Sequence, residues 1–201
     1  MDFVRRHLPD PPARVLEVGC GEGALTLALA DAGYDVTGID PMAPAGSHFR
    51  RLLLEDLDPG DEEFDAVVAG RSLHHVSDLD VALDRIVDLL VPRGTLVLDE
   101  FVWDRLDLPT AEWYYGRLES RPPTLDAFIA DWHAEHVGLH GFAAMRAALD
   151  ARFDERLFAW TPYLHRLLDA PAAEEERAIA ADAIQPTGFR YVGEARPHRG
   201  R

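Results

Sequence analysis

A glycine-rich run with an acidic residue two positions before its first glycine is the part of this sequence whose residue types best suit ligand binding. Residues 17–23 read Glu-Val-Gly-Cys-Gly-Glu-Gly and follow a short apolar run. Gly19, Gly21 and Gly23 allow the backbone to turn sharply and to approach a ligand closely, and the helix predicted to follow offers its N-terminal amide groups. Glu17 suits a ligand that carries an ammonium group rather than a diphosphate. In nicotinamide-binding runs the third glycine comes one residue later.

Further acids follow the next two predicted strands. Asp40 ends an apolar run and precedes a proline, and Glu55 and Asp56 follow a third run. The carboxyl ends of parallel strands form one edge of a sheet, where ligands bind. We therefore expect these acids to lie near the glycine run. Asp40 taken alone also suits a turn, because Asp before Pro is common in turns.

Several histidines are candidates for proton transfer, because a neutral imidazole takes up a proton near pH 7. The candidate general bases are His74, His133, His136 and His140. Surface, capping or packing roles are the alternative for all of them. The spacing of His133 and His136 would permit a metal site with His140 or Glu135, but we expect no metal.

Other side chains are candidates for contact with a substrate. Arg71 and Gly70 follow the fourth predicted strand, at the edge where ligands bind, although an arginine there can also stack or pair with Glu22. His75 is placed near substrate by the same argument. The aromatic candidates could bind an amine through cation–π contacts or could form the core of a lid, and they are Trp113, Tyr114 and Trp132, with Tyr115 beside them.

The elements that position these residues alternate along the chain. Apolar runs predict strands at 15–18, 34–39, 49–54, 64–69, 95–98, 156–160 and 189–195, and helical spacing predicts helices at 24–32, 79–90, 141–152 and 162–181. Ser77 or Asp78 is the expected N-cap of the second of these helices. Residues 41–48 are too short and too rich in Pro and Gly for a crossover helix. Residues 104–140 break the alternation and are expected to be a helical lid.

Composition bounds the class of protein. The 201 residues carry a net charge of −16, which disfavours binding to nucleic acid. Cys20 is the only cysteine, which agrees with a reducing compartment. No signal peptide or membrane span is predicted, so we expect a cytoplasmic chain whose residues 1–201 form one domain, without a membrane partner.

The motifs resemble those of the class I methyltransferases that depend on S-adenosylmethionine (SAM), in the small-molecule subgroup of types 11 and 12. Residues 15–23 resemble the first motif, residues 36–40 (Val-Thr-Gly-Ile-Asp) the second, and residues 54–57 (Leu-Glu-Asp-Leu) the third. Residues 64–69 with 73–76 (Leu-His-His-Val) resemble the fourth strand and its loop in that subgroup, and residues 90–98 the turn into strand five. Arg93 stands where the family usually has glycine.

The resemblance implies an α/β, Rossmann-like, doubly wound sheet of seven strands in the order 3-2-1-4-5-7-6, with strand 7 antiparallel and the helical lid between strands 5 and 6. It also implies SAM as cofactor and S-adenosylhomocysteine as product. Asp40 would hold the ribose; Asp56 with the N–H of Leu57 would hold the adenine, with Glu55 as the alternative. Met42 is the expected apolar contact over the adenine. The implied cofactor residues are Glu17, Gly19, Cys20, Gly21, Gly23, Asp40, Met42, Glu55, Asp56, Leu57, Gly70 and Arg71.

The expected function is methyl transfer to an O, N or C nucleophile of a small molecule, with secondary metabolism as a candidate setting. The absence of an Asn/Asp-Pro-Pro-Tyr run argues against nucleobase amines as acceptors. Two alternatives stay open: a SAM-binding fold that acts as a cyclase or scaffold, and a nicotinamide-dependent oxidoreductase. The oligomeric state is not predicted.

Overall fold

Seven strands of the computed structural model form one sheet, within the described residues 2–58, 60 and 62–197. Their order is β3-β2-β1-β4-β5-β7-β6, and β7 runs antiparallel to both β5 and β6. This confirms the predicted order and direction. The strands are β1 (Arg14–Val18), β2 (Asp35–Ile39), β3 (Phe49–Arg50), β4 (Phe64–Gly70), β5 (Leu90–Phe101), β6 (Phe153–Thr161) and β7 (Gly188–Ala195).

Helices cover both faces of the sheet. Along β1, Val15 packs with α1 and α2, whereas Leu16 and Val18 face the opposite core, which contains α3 and α6. This alternation follows from the two-residue repeat of a strand, and both faces are apolar because both are covered. The helices are α1 (Asp2–His7), α2 (Ala24–Asp31), α3 (Leu79–Leu89), α4 (Leu108–Tyr115), α5 (Leu125–Glu135), α6 (Phe142–Arg152), α7 (Leu164–Leu167) and α8 (Ala172–Ala180). No helix among the described residues has the length and apolar character needed to cross a membrane.

The third strand is shorter than the predicted 49–54. β3 pairs with β2 only through Phe49 and Arg50, opposite Gly38 and Ile39. β2 ends there, because the chain turns at Asp40, so later residues have no strand to pair with. Leu54–Asp56 forms a single 3₁₀ turn instead. The predicted absence of a helix over residues 41–48 is confirmed.

The junction between α3 and β5 contains the Arg93 departure from the family pattern. β5 begins at Leu90 rather than at the predicted residue 95, and its pairing with β4 shifts register between Phe64 and Ala66. Arg93 adopts a φ of 66°, the left-handed conformation that glycine favours. Arg93 therefore adopts the left-handed backbone conformation that accounts for the glycine usually found at this position in the family. Asp78, not Ser77, is the N-cap of α3, accepting from the N–H groups of Asp80 and Val81.

The predicted helix over residues 162–181 is two helices. The break between α7 and α8 contains Asp169, with a φ of 47°, and Pro171. A left-handed residue and a proline both interrupt the helical hydrogen-bond pattern, which accounts for the division.

Residues 104–140 form a helical insertion that contains α4 and α5. Its two ends lie together, because the carboxylate of Asp104 accepts from the N–H of Phe142 at 3.0 Å. Near the far end, the N–H of His140 donates to the carbonyl of His74 at 3.1 Å. The insertion is thereby held against the loop that follows β4.

Candidate functional site

The glycine run forms the turn between β1 and α2. Gly19, Gly21 and Gly23 have φ values of 73°, 52° and 83°, so each adopts a conformation that L side chains rarely take. A Cβ at Gly19 would lie 2.7 Å from the Cβ of Ser72, whereas one at Gly21 would meet no atom within 4 Å. Gly19 therefore allows the β1 and β4 loops to touch, and Gly21 borders open space.

Glu17 lies buried between β1 and α2. It is on the same face of β1 as Val15, two residues earlier, and this face packs on α2. The hydroxyl of Thr26 in α2 donates a short hydrogen bond to its carboxylate. Burial raises the pKa of Glu17, and the charge of Asp40 adds to this effect, although the bond from Thr26 opposes it. A cationic ligand beside Glu17 would favour the ionised form.

Asp40 follows β2 and ties two turns together. Its Oδ2 accepts from the N–H of Gly21 at 3.1 Å, and its Oδ1 accepts from the N–H of Met42 at 2.7 Å. The carboxylate also lines a cleft cavity. Asp40 therefore stabilises a turn, as the sequence allowed. Each of its carboxylate oxygens can still accept a hydrogen bond from a further donor.

Two cavities lie side by side along the carboxyl ends of the parallel strands. One, of about 440 Å³, extends from Asp40 toward residues 52–55 and 75–77. The other, of about 550 Å³, extends from Glu17 and residues 19–22 toward β5 and α7. Gly19 and Arg71 line both cavities. Together they form an elongated cleft with an apolar part and a charged part.

The structure places the three adenine candidates differently. Glu55 lines the first cavity, whereas Asp56 is exposed and absent from its lining. The N–H of Leu57 donates to the carbonyl of Leu54 at 3.2 Å, because the 3₁₀ turn uses it. The geometry therefore favours Glu55 over the preferred pair of Asp56 and Leu57. The reason is the early end of β3, which rotates these residues into a turn.

Met42 does not form an apolar wall. Its side chain is 83% exposed and lies outside both cavity linings. The apolar side of the first cavity includes Pro41, Leu52, Leu53 and Val76. The sequence interpretation missed the two leucines because it assigned them to a strand.

Cys20 lines the second cavity and is 7% exposed. Burial raises the pKa of its thiol to about 11, and the charges of Glu17 and Asp40 add to the shift. The thiol is thus a neutral, protonated group near pH 7, and it contributes packing and not charge to the loop.

Arg71 follows Gly70 at the end of β4 and has a φ of 59°. Non-glycine residues in this conformation are uncommon and cluster at functional sites. Its backbone N–H donates to the carbonyl of Asp99 at 3.0 Å, and burial raises the pKa of Tyr163 while the charge of Arg71 opposes this shift. Gly70 lines the second cavity, and a Cβ there would enter open space. The alternative pairing of Arg71 with Glu22 is absent from the ion pairs of the described residues.

His74 is a buried structural residue. Its Nδ1–H donates to Glu100 at 2.7 Å, and the two side chains are 5% and 0% exposed. Glu100 also accepts from the N–H groups of Ser72 and Leu73, at 2.7 and 2.9 Å. This pair organises the loop after β4. His74 is therefore a poor candidate for the general base, because its side chain is buried and does not line the cleft.

His75, the next residue, does line the first cavity. Adjacent residues diverge, so one histidine enters the protein and the other faces the cleft. Partial desolvation lowers the pKa of His75, and the nearby His74 and His136 lower it further against the opposing charge of Glu100. The neutral imidazole is therefore its main form near pH 7.

The lid histidines do not form a common site. His133 is exposed, and the Nδ1–H of His136 donates to the carbonyl of Trp132 at 2.6 Å. His140 donates from Nε2 to the carbonyl of Val76 at 2.9 Å. None of the three lines the two cleft cavities. His136 and His140 are instead engaged in hydrogen bonds within the insertion and to the loop that follows β4. Within the residues described, no three His, Cys, Asp or Glu side chains are grouped to hold a metal.

The aromatic candidates belong to the lid itself. Tyr114 and Trp132 are buried in a cluster with Phe101, Phe128 and Tyr163. The guanidinium of Arg117 covers Trp113 at 3.9 Å from the ring centre. These three candidates therefore lie outside the cleft lining, because they pack within the insertion and against Phe101 and Tyr163.

Some cleft residues were not predicted. Ser72, Asp99 and Arg166 line the cavities. Asp99 directly follows the predicted fifth strand, so its position at the ligand-binding edge was a usable signal. Arg166 lies more than sixty residues further along the chain, and no local pattern marks it.

Comparison with known proteins identifies the family of the chain. A family model described as a methyltransferase domain matches residues 1–139. A ubiquinone biosynthesis O-methyltransferase of Xanthomonas campestris is 39% identical in an alignment 115 positions long, which covers 49% of this chain and 47% of that protein. The chain thus spans about half the length of this curated relative, and 39% of a namesake in Azorhizobium caulinodans.

Solved structures share the fold. A SAM-dependent methyltransferase from Methanosarcina mazei has a TM-score of 0.63 at 19% identity, with 98% of both chains covered. The N-methyltransferase NodS of Bradyrhizobium japonicum, solved with S-adenosylhomocysteine, has a TM-score of 0.55 at 19% identity, covering 92% of this chain and 79% of that one. Because the family model covers more than half of the chain, this protein belongs to the methyltransferase domain family.

Proposed function

We propose that the chain transfers the methyl group of SAM to a nucleophilic O, N or C atom of a small-molecule acceptor. The observation that carries the proposal is the elongated cleft, which has an apolar cavity and a charged cavity joined at Gly19 and Arg71. SAM has the matching parts, a flat adenine at one end and a charged amino acid at the other. The setting in secondary metabolism and the cytoplasmic location remain predictions.

The residues on the cleft wall suit these parts. Asp40 would accept from the ribose hydroxyls, and Glu55 would accept from the adenine amino group between the apolar side chains of Leu53 and Val76. Glu17 is the acid for the ammonium group. Gly21 and Gly70 both line the second cavity, and a Cβ added at either glycine would meet no atom within 4 Å, so the backbone leaves room for the ligand.

Bound SAM would supply an electrophilic sulfonium methyl, so the chain has to align the acceptor, exclude water and remove a proton. His75 is the cleft histidine, and its lowered pKa keeps it ready to accept a proton from a hydroxyl or an ammonium group. The Glu100–His74 pair holds the loop that carries it. We assign His75, in place of His74, as the proton acceptor.

Two titrations test the cofactor. Calorimetry should show binding of SAM and of S-adenosylhomocysteine, and no comparable binding of NAD(H). Tight binding of NAD(H) alone would contradict the proposal and favour the oxidoreductase alternative. Accumulation of S-adenosylhomocysteine with an acceptor distinguishes methyl transfer from the cyclase or scaffold alternative, in which turnover would proceed without it.

A further inference from the structure

The second cavity has walls of opposite charge. Its β1 side contains Glu17 and Glu22, and its β4, β5 and α7 side contains Arg71, Asp99 and Arg166. The chain as a whole carries a net charge of −16, so two arginines on one wall of the cleft form a local positive region in an acidic protein. The acids suit the ammonium and sulfonium charges of the cofactor. The arginines suit an anionic group of a ligand.

Asp99 does not neutralise this wall. Its Oδ2 lies 3.0 Å from the guanidinium of Arg166 and 3.8 Å from that of Arg190. One carboxylate therefore meets two guanidinium groups, and Arg71, which also lines the cavity, adds a third positive charge. Each guanidinium has five N–H donors, so Arg166 keeps donors free after pairing with Asp99.

The two cleft arginines differ in position. Arg71 lines both cavities and stands at their junction, beside the glycine run, whereas Arg166 lines only the second cavity. The N–H groups of Gly19 and Cys20 both donate to the carbonyl of Ile39, and that of Gly21 donates to Asp40. These amides are therefore engaged, and Arg71, which lines the cavity beside them, would hold the cofactor's own carboxylate.

Contacts with the rest of the protein fix the position of Arg166. It comes from α7, whose first N–H groups, those of Leu164 and His165, donate to the buried carboxylate of Glu175 at 3.0 and 2.8 Å. Its guanidinium also lies 5.3 Å from the ring centre of Tyr163. A cation fixed at the cleft wall by a buried anchor can orient a ligand.

We infer that the acceptor is a small molecule that carries a carboxylate, and that Arg166 is the residue that selects it. The inference rests on the proposed function and deepens it. A guanidinium presents two parallel N–H donors that match the two oxygens of a carboxylate. Arg166 would hold this group at the β5 and α7 side while the nucleophilic atom of the acceptor faces the cofactor.

The test uses the intact chain saturated with S-adenosylhomocysteine, with benzoate and its neutral analogue benzamide as probes in calorimetry. Benzoate should bind with millimolar affinity and benzamide should not. R166Q should weaken benzoate binding about tenfold or more while the affinity for S-adenosylhomocysteine stays within about twofold, and R166K, which keeps the charge but loses the fork, should give an intermediate loss. R71Q should instead weaken binding of S-adenosylhomocysteine.

R156Q is the matched control, because Arg156 pairs with Glu194 on the exposed β6 edge, away from the cleft, and the variant should bind both ligands normally. Equal binding of benzoate and benzamide, or benzoate binding that R166Q leaves unchanged, would overturn the inference. So would a loss of S-adenosylhomocysteine affinity in R166Q, since it would assign Arg166 to the cofactor. Failure of the proposed function would be visible earlier, as failure of the wild-type chain to bind SAM or its product, and benzoate titration of the free protein would still test Arg166.

Discussion

The carboxylate of Glu100 accepts from the Nδ1–H of His74 at 2.7 Å while it also accepts from the N–H groups of Ser72 and Leu73. One buried side chain at the end of β5 thus sets the shape of the loop that follows β4. That loop carries Arg71 and His75 to the cleft, so a residue that lines neither cavity controls two that do.

Glu100→Gln should lower the free energy of unfolding by about 2 kcal/mol, because the amide NH₂ cannot accept from the Phe101 N–H, which lies 3.2 Å from Oε2, and charge-assisted bonds are lost. Urea unfolding followed by circular dichroism measures the change. Glu174→Gln is the control: its partner Arg117 lies at 3.5 Å on the surface, and the expected loss is about 0.5 kcal/mol or less. Equal losses in the two variants would contradict the organising role of Glu100.

Asp40→Ala should weaken SAM binding by about 1.5 to 3 kcal/mol, roughly tenfold or more in Kd, because charge-assisted hydrogen bonds to the ribose are lost. Calorimetric titration measures the effect. Asp35→Ala removes the same charge from the other end of β2, where the side chain is 71% exposed, and should leave the affinity unchanged. An unchanged affinity in Asp40→Ala would show that Asp40 serves only the turn.

Glu17→Gln should stabilise the free protein at neutral pH and weaken its binding of SAM. Burial raises the folded-state pKa of Glu17 above its ordinary value of 4.5, so between that value and the folded pKa the unfolded chain releases its proton first. The native chain therefore loses unfolding free energy as the pH rises from 4.5 through the folded-state pKa, and this loss persists at higher pH. Glu17→Gln has no carboxylate to ionise and should not show this loss. The unfolding free energies of the variant and of the native chain should therefore converge as the pH is lowered. A variant less stable than the native chain at pH 7 would contradict the assignment.

Gly19→Ala should lower the unfolding free energy by about 3 kcal/mol, because the new methyl adds a left-handed conformational penalty to an overpacked contact with Ser72. Gly138→Ala separates the two effects, since Gly138 has a φ of 88° but no atom near a Cβ. It should cost about 1 kcal/mol. Equal costs for the two variants, measured by urea unfolding, would contradict the close approach of the β1 and β4 loops.

Cys20 should resist alkylation in the native state. A thiol with a pKa of about 11, against an ordinary value of 9.0, has about a hundredfold less thiolate at pH 8, and burial slows the reaction further. Mass spectrometry after iodoacetamide treatment measures the modified fraction, with a urea-unfolded sample as the control. Rapid labelling of the folded chain would contradict the buried, protonated state.

Local patterns in the sequence determined most of the fold. The strand and helix periods, the glycine run and the acids after the second and third strands predicted the sheet and the edge where the cleft lies, because these features depend on residues close together in the chain. The family resemblance added the strand order and the antiparallel last strand, which the β5 and β7 pairing confirms.

Only the tertiary structure decided which candidate side chains reach the cleft. His74 and His75 are adjacent, yet one pairs with Glu100 inside the protein and the other lines the cavity. The aromatic side chains of residues 104–140 form a core together with Phe101 and Tyr163, since a helical insertion needs buried apolar contacts to fold. Arg166 reaches Asp99 across 67 positions of the chain, a contact that packing of α7 on the sheet creates and that no local pattern encodes.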